Sequence, residues 1–243
     1  MAQIFSEQTS AGAGGKTDLP VHVGFIVDGN RRWAKQHGLP TYEGHLAGYN
    51  CLKDVLLETL RCGVKYASAY VFSTENWKRS EEEVGHLMKL FVKMLEADVS
   101  IFLDNNVRLR VIGSRDGLSD ALIKVIDNAE EKTRNLTGGE LLLCLNYGGH
   151  LEIADAVKKV IRSGISAEGV TPELIAQNLY APEVPPCDLI VRTSGEQRLS
   201  NFMLWRAAYS ELMFIDKHWP DMTTDDVAVI LDEYARRNRR FGG

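Results

Sequence analysis

Two stretches of this chain gather arginine with acids, amides and hydroxyls: Asp28-Gly29-Asn30-Arg31-Arg32-Trp33, and Arg192-Thr193-Ser194-Gly195-Glu196-Gln197-Arg198-Leu199-Ser200-Asn201. Two more are similar in kind: Ser73-Thr74-Glu75-Asn76-Trp77-Lys78-Arg79, and Asn146-Tyr147-Gly148-Gly149-His150. Guanidinium forks, hydroxyls and helix N-termini are the usual means of holding phosphate oxygens. Carboxylates beside such groups commonly hold Mg²⁺, which prefers hard oxygen ligands and bridges to substrate phosphates. Each run alone has a plainer explanation. Asp28-Gly29-Asn30 reads as a turn, Ser200 or Asn201 as a helix cap, and the arginines as solvated surface. Taken together, they point to a Mg²⁺-dependent enzyme that binds phosphorylated or diphosphorylated substrates. No G-x-S-x-G and no H-E-x-x-H occurs, so the chemistry calls for leaving-group activation more than for a protein nucleophile.

What unites the runs is their place after short apolar segments. The pattern predicts strands at Val21–Val27, Val64–Phe72, Val107–Ile112, Leu141–Leu145, Leu189–Val191 and Leu212–Ile215. Most lack polar alternation, as strands covered on both faces do. Helices are predicted at Gly44–Arg61, Glu81–Asn105, Ser119–Asn135, Leu151–Arg162, Pro172–Leu179 and Asp225–Arg239. Ser80-Glu81-Glu82-Glu83 fits a capping box, and Thr171-Pro172 places a hydroxyl before a first-turn proline. The alternation implies an α/β fold: one domain with a central, mostly parallel six-stranded sheet flanked by helices. Ligands of such sheets bind beyond the carboxyl ends of the strands, where the polar runs fall, with Trp219-Pro220-Asp221 following the last strand. Residues 1–18 read as a flexible tail and 19–243 as the catalytic domain. Within the tail, Gly15-Lys16-Thr17 imitates the end of a phosphate-binding P-loop but lacks the flanking strand and helix. The stretch Glu81–Asn105 is apolar over a broad face, which favours a deeply buried helix over one lining a cavity.

Composition narrows the field further. Of 243 residues, 44% are hydrophobic and 25% charged, as in ordinary globular proteins. The 28 Lys and Arg against 33 Asp and Glu leave a net charge of −5, a poor balance for broad nucleic-acid binding. Cys51, Cys62, Cys144 and Cys187 form no C-x-x-C pair, so buried free thiols in a reducing cytosol are expected. No apolar run reaches the roughly 20 residues of a membrane span, and the N-terminus does not resemble a secretory signal.

At these same residues the sequence closely resembles the cis-prenyltransferases, the family of undecaprenyl diphosphate synthase. The matching segments are His22 to Lys35, Gly44-His45-Leu46-Ala47-Gly48, Ala69 to Arg79, Val107–Gly113, Asn146–Gly149, Asp188 to Trp205, Tyr209 to Phe214, and Arg239 to Gly243. The resemblance implies condensation of isopentenyl diphosphate with an allylic diphosphate such as farnesyl diphosphate, giving a long-chain polyprenyl diphosphate. It implies Mg²⁺ as cofactor, a homodimer, peripheral membrane contact through the lipid product, and a hydrophobic tunnel between sheet and helices. Asp28 and Asn76 would be catalytic, with Asp28 and Glu211 serving the metal. Gly29, Asn30, Arg31, Arg32 and His45 would bind the allylic diphosphate at a helix N-terminus. Arg192, Arg198 and Ser200 would bind isopentenyl diphosphate. Trp33, Phe72, Ser73, Trp77 and Arg79 would surround the reacting ends, and the loop around Ser80–Glu83 would close over them. Arg240-Phe241-Gly242 resembles a tail element that completes a site near the partner subunit. Two positions depart from the bacterial pattern: Thr41 replaces a basic residue, which bears on the primer, and Gln197 replaces a histidine. Val71 sits where side-chain bulk narrows the tunnel, leaving a medium-chain product open. The alternatives are a short-chain or irregular synthase, a non-catalytic partner subunit, and an unrelated phosphate-binding α/β protein.

Overall fold

The computed structural model describes residues 19–237. The P-loop-like Gly15-Lys16-Thr17 and the terminal Arg240-Phe241-Gly242 lie outside the described residues.

Six strands form one sheet: β1 (His22–Ile26), β2 (Tyr66–Ser73), β3 (Val107–Ile112), β4 (Gly139–Tyr147), β5 (Leu189–Arg192) and β6 (Glu211–Phe214). Their order is β3-β4-β2-β1-β5-β6, and every pairing is parallel. Side chains alternate between the faces of a strand, and β4 shows both sides apolar. Leu141, Leu143 and Leu145 join the larger core, while Leu142, Cys144 and Tyr147 join a second one containing Phe202 and Met203. The larger core is covered by α2 (Thr41–Arg61), α3 (Glu81–Glu96), α4 (Val99–Asp104), α5 (Asp120–Thr133) and α8 (Thr224–Arg236). A third, small cluster joins α6 (Gly149–Arg162) to α7 (Pro172–Ala176) through Ala156, Val160, Ile175 and Leu179. All four cysteines are free thiols.

The strands reverse their direction of travel at β1. From there the chain moves outward to β2 and on to β3 at the edge, returns to β4 between them, then crosses to β5 on the other side of β1. In open parallel sheets the crevice at such a switch is the ligand position. Here it lies between the carboxyl ends of β1 and β5, beside Asp28 and Arg192.

Three local expectations change. The polar run after β1 contains a short helix, α1 (Asn30–Gln36), which the apolar pattern did not reveal. The predicted helix Glu81–Asn105 is broken near Ala97 and Asp98, where Asp98 accepts hydrogen bonds from Tyr49 Oη and, at 2.8 Å, Lys53 Nζ. Nor is α3 deeply buried: within it only Phe91, Met94 and Leu95 are, and the other apolar residues of its first three turns are half-buried. The caps mostly hold. Thr171 Oγ1 accepts from the Leu174 N–H at 3.2 Å, and Ser80 Oγ from the Glu83 N–H at 3.3 Å. The Glu83 carboxylate, however, does not turn back to complete a box; it is held by other residues of the site.

Candidate active site

Asp28 leaves β1 at the switch point with both carboxylate oxygens engaged. Its Oδ1 accepts from the Gly29 N–H at 2.7 Å, while Oδ2 receives Arg192 Nη2 at 2.9 Å and Arg32 Nη2 at 3.1 Å. The Asp28 backbone is clamped by Thr193 Oγ1, which takes its N–H at 3.1 Å and donates to its C=O at 2.7 Å. Burial alone would raise the Asp28 pKa. The Arg192 hydrogen bond and the charges of Arg32 and Arg192 outweigh it and hold the carboxyl below its usual range. Arg192 is itself buried, and it also donates through Nη1 to Ser200 Oγ at 2.8 Å and to the Arg198 carbonyl. Its Nε has no partner.

Two clefts meet at Asp28. The first, about 750 Å³, is walled by Asp28, Gly29, Asn30, Arg31, Arg32, Lys35, Thr41, His45, Val71, Asn76 and Arg79, among others. Asp28 is the one acid in that wall, against Arg31, Arg32, Lys35 and Arg79, so an acidic chain carries a locally cationic pocket. No side chain caps the N-terminus of α1, which opens the same pocket. Gly48 lets α2 approach α1 closely: a Cβ there would lie 2.3 Å from Asn30 Oδ1. The second cleft, about 620 Å³, is walled by Asp28, Ser73, Glu75, Asn76, Arg79, His150, Arg192, Arg198, Ser200 and Asn201, with others. Asp28, Asn76 and Arg79 belong to both walls. Asn76 is fixed by a reciprocal cap, its Oδ1 accepting the Ser73 N–H at 3.0 Å.

Below the first cleft, and sharing Val27, Asn30, His45, Val71 and Leu87 with it, is an apolar cavity of about 60 Å³. Phe72, Leu145 and Trp219 contribute to it from below the helices, and Met88, Leu90, Phe91 and Met94 from α3. It lies where the tunnel is expected but is no tunnel, being much smaller than an ordinary ligand pocket of about 300–1,000 Å³.

At the mouth of the cavity His45 Nε2 lies 3.0 Å from Glu83 Oε1, which also receives Arg79 Nη1 at 2.8 Å. Burial lowers the His45 pKa more than Glu83 raises it, so the ring stays neutral. Burial would raise the Glu83 pKa, but the His45 hydrogen bond and the Arg79 charge hold it low. An ionised Glu83 requires Nε2 to carry the proton, leaving Nδ1 a bare acceptor without a partner. Residue patterning read Glu83 only as part of a cap. Its signal is visible in hindsight: a third acid in a row where the cap needs one.

Three expected residues join neither the clefts nor the cavity beneath them, which Phe72 does line. Trp33 donates from Nε1 to Asp221 Oδ1 at 2.6 Å and packs on His37, because the turn of α1 carries it away from Asp28. Trp77 donates to Asn146 Oδ1 at 2.8 Å and packs edge-on against Phe72, on the outer side of α3. Glu211 is the larger correction. It begins β6, opposite Leu189 and hence level with Val23, and pairs with Arg237 at 3.1 Å. From Val23 to Ile26, where β1 ends, is three residues, about 10 Å at about 3.3 Å per residue. Asp28 follows beyond that end, so Glu211 stands at the opposite end of the strands from Asp28 within one chain. No group of three or more metal-ligating side chains occurs among the described residues. Asp28 alone fits Mg²⁺ in the manner of sites where one carboxylate and the substrate phosphates share the ion.

Cationic clefts at the switch point of a parallel sheet, joined at one ionised aspartate and resting on an apolar cavity, suit a transferase of diphosphate-bearing apolar substrates. Comparison with known proteins agrees. Residues 26–242 match the family model described as "Putative undecaprenyl diphosphate synthase", and the chain belongs to that family, the cis-prenyltransferases. It is 45% identical over 227 residues to an isoprenyl transferase of Thermotoga maritima, covering 93% of this chain and 97% of that protein. An isoprenyl transferase of Bifidobacterium longum is 44% identical over 232 residues, covering 94% and 88%. Among solved structures, lavandulyl diphosphate synthase of Lavandula x intermedia, in complex with dimethylallyl diphosphate, superposes with a TM-score of 0.89 at 32% identity. A structure titled "probable undecaprenyl diphosphate synthase" from Campylobacter jejuni gives 0.79 at 31%. Each alignment covers 93% of this chain and 99% of the other. The protein is therefore an enzyme, a prenyltransferase. No helix among its described residues is long and apolar enough to cross a membrane.

Proposed function

We propose that this enzyme condenses isopentenyl diphosphate with an allylic diphosphate such as farnesyl diphosphate, using Mg²⁺, to build a long-chain polyprenyl diphosphate. The observation that carries the reading is the junction of two guanidinium-bearing clefts at Asp28, Asn76 and Arg79, directly above an apolar cavity. The first cleft takes the allylic diphosphate on Arg31, Arg32 and the α1 backbone, with its hydrocarbon directed into the cavity. The second takes isopentenyl diphosphate on Arg192, Arg198 and Ser200. In the reaction the allylic C–O bond breaks and diphosphate departs, a C–C bond forms to the terminal alkene carbon of isopentenyl diphosphate, and a proton is released from the methylene on the far side of that alkene. The products are the elongated allylic diphosphate, free diphosphate and a proton. Asp28 would hold Mg²⁺, which when bound would supply positive charge to the departing diphosphate. Arg32, Arg192 and preoriented N–H groups stabilise the same charge without having to reorient as it develops. Val71 and Leu87, between cleft and cavity, exclude water from the reacting carbon. A homodimer and contact with membrane through the lipid product belong to the same proposal.

A long chain needs the wall formed by α3 to move outward, and half-buried Leu87, Met88 and Leu90 make that movement cheap. Each buried methylene returns about 0.8 kcal/mol. A short-chain or irregular product is the second reading, favoured by the cavity of about 60 Å³ and by the likeness to lavandulyl diphosphate synthase. The intact Asp28 and Arg192 constellation weighs against a non-catalytic subunit. Labelled isopentenyl diphosphate, Mg²⁺ and a panel of allylic primers, with the products sized, decide the matter. Long polyprenyl products support the first reading, products of two or three isoprene units the second, and no condensation with any primer overturns both.

A further inference from the structure

Ser194 and His218 lie behind the site, outside the walls of both clefts. Ser194 Oγ and His218 Nδ1 are 2.6 Å apart, joining the loop after β5 to the loop after β6. Each loop also grips the segment that carries Asp28. The Ser194 carbonyl accepts from Arg32 Nη1 at 3.2 Å, and the N–H of Trp219, next to His218, donates to the Asp28 carbonyl at 3.0 Å. A further tie runs from the Ser194 N–H to the Lys217 carbonyl at 2.9 Å. Gly29 rests directly on the pair. A Cβ on Gly29 would lie 2.8 Å from Ser194 Oγ and 2.9 Å from His218 Nδ1, and its φ of +111° favours glycine independently. Ser194 holds a left-handed φ of 76°, which glycine would adopt freely and serine does not. What the serine adds at that position is its hydroxyl.

We infer that the Ser194–His218 hydrogen bond is a positioning device for the diphosphate site, setting where Gly29, and with it Asp28 and Arg32, stand against the Arg192 segment. Neither residue touches the reacting atoms; they act through the Asp28–Arg32 turn. The inference rests on the proposed diphosphate chemistry, because the property being tuned is the grip on a diphosphate. A misplacement of about 1 Å in such a site costs up to about a hundredfold.

The test uses the full-length protein, inorganic diphosphate with Mg²⁺ as the probe, and calorimetric binding. Ser194→Gly, which suits the backbone and removes only the hydroxyl, is expected to weaken diphosphate binding about tenfold. His218→Leu should do the same, and the double variant no more than either alone, because both remove one interaction. His218→Asn, whose amide places a polar atom near the Nδ1 position, should restore affinity to within about twofold. Where the parent protein binds diphosphate, unchanged binding in Ser194→Gly, or multiplying losses in the double variant, overturns the inference. Amide hydrogen exchange of residues 28–33 without ligand separates this from the functional reading. Faster exchange in Ser194→Gly supports the positioning role even if the parent protein binds no diphosphate, a result that would sink the proposed function instead. Unchanged exchange overturns the positioning role whatever the binding shows.

Discussion

Arg192 and Arg206 are equally buried, each 4% exposed, and each is paired with a carboxylate, yet the two pairs do opposite work. Around Arg206 every group closes inward. Its Nη1 donates to Glu152 Oε1 at 2.7 Å, its Nη2 to the carbonyls of Tyr180 and Ala181, and Glu152 is fully buried. Tyr147 Oη and the Tyr180 N–H take up the rest of Glu152. Around Arg192 the arrangement stays open. Its partner Asp28 keeps a side chain 30% exposed to two clefts, and the Arg192 Nε is unpaired. A buried ion pair contributes little net stability but is costly to break. The Arg206 pair therefore serves to fix the packing of α6 against the loop of Tyr180. The unfinished bonding of the Arg192 pair instead leaves capacity for a ligand.

The contrast is broken most forcefully by Asp28→Ala. If Asp28 serves the leaving diphosphate, turnover should fall by about 10³- to 10⁴-fold, about 4–5.5 kcal/mol in the barrier, with a cooperative melting transition retained. Near-normal turnover in steady-state assays would remove Asp28 from the chemistry. Glu152→Ala is the mirror experiment. It strands the Arg206 charge and should cost about 4 kcal/mol of stability in urea unfolding, while turnover per folded molecule stays near that of the parent. Loss of turnover without loss of stability would mean that the two pairs are not divided as described.

A smaller effect sharpens the same division at the amino end of the sheet. His22 is buried, facing the Pro185 carbonyl at 2.9 Å through Nδ1 and Ser68 Oγ at 2.6 Å through Nε2. A carbonyl only accepts, so the neutral ring donates from Nδ1 and accepts the serine hydroxyl at Nε2. Burial, partly offset by the Pro185 hydrogen bond, pushes its pKa down from 6.5 to about 4. The unfolded chain then binds a proton near pH 6.5 that the folded chain refuses until about pH 4. Stability should fall as pH drops through that window, by about 3 kcal/mol in all. In His22→Gln this component should be missing when unfolding is followed at several pH values. An equal slope in the variant would place the acid sensitivity elsewhere.

Strand placement was legible from the sequence because burial on both faces leaves an unbroken apolar signature, and all six predicted segments overlap observed strands. The convergence of Asp28, Asn76, Arg79, Arg192, Arg198 and Ser200 was legible for a related reason: the carboxyl ends of parallel strands share one edge. What escaped was apposition between elements. Nothing along the chain ties Ser194 to His218, Glu83 to His45 or Arg206 to Glu152, since those contacts are set by how helices and loops pack. The Glu211 expectation failed on direction. A residue at the start of a parallel strand is a strand length away from one just past the end of its neighbour. The break near Asp98 escaped because an apolar stripe reports burial and is blind to a side chain that draws the backbone out of register. The short α1 has too few apolar residues to show a period at all.

Thr41 offers the gentlest probe, because it asks whether the open region has room for another cation, which the closed surroundings of Arg206 do not. It begins α2, follows Pro40, and forms part of the wall of the first cleft together with Arg31 and Lys35. Thr41→Arg puts a guanidinium in that wall and should tighten binding of an allylic diphosphate about three- to tenfold. A cation in the first turn of a helix opposes its dipole, so the same change should cost about 0.3–1 kcal/mol of stability. Gain in affinity and loss in stability then move in opposite directions, a pairing that nonspecific improvement of folding cannot imitate. The gain should shrink as salt rises from 10 to 150 mM, because the exposed part of the attraction is screened over about 30 Å in the first case and about 8 Å in the second. If affinity does not change at either salt concentration, the primer's diphosphate does not sit against the start of α2. Its charge would then be carried by the Asp28–Arg32 turn and the Arg192 segment alone.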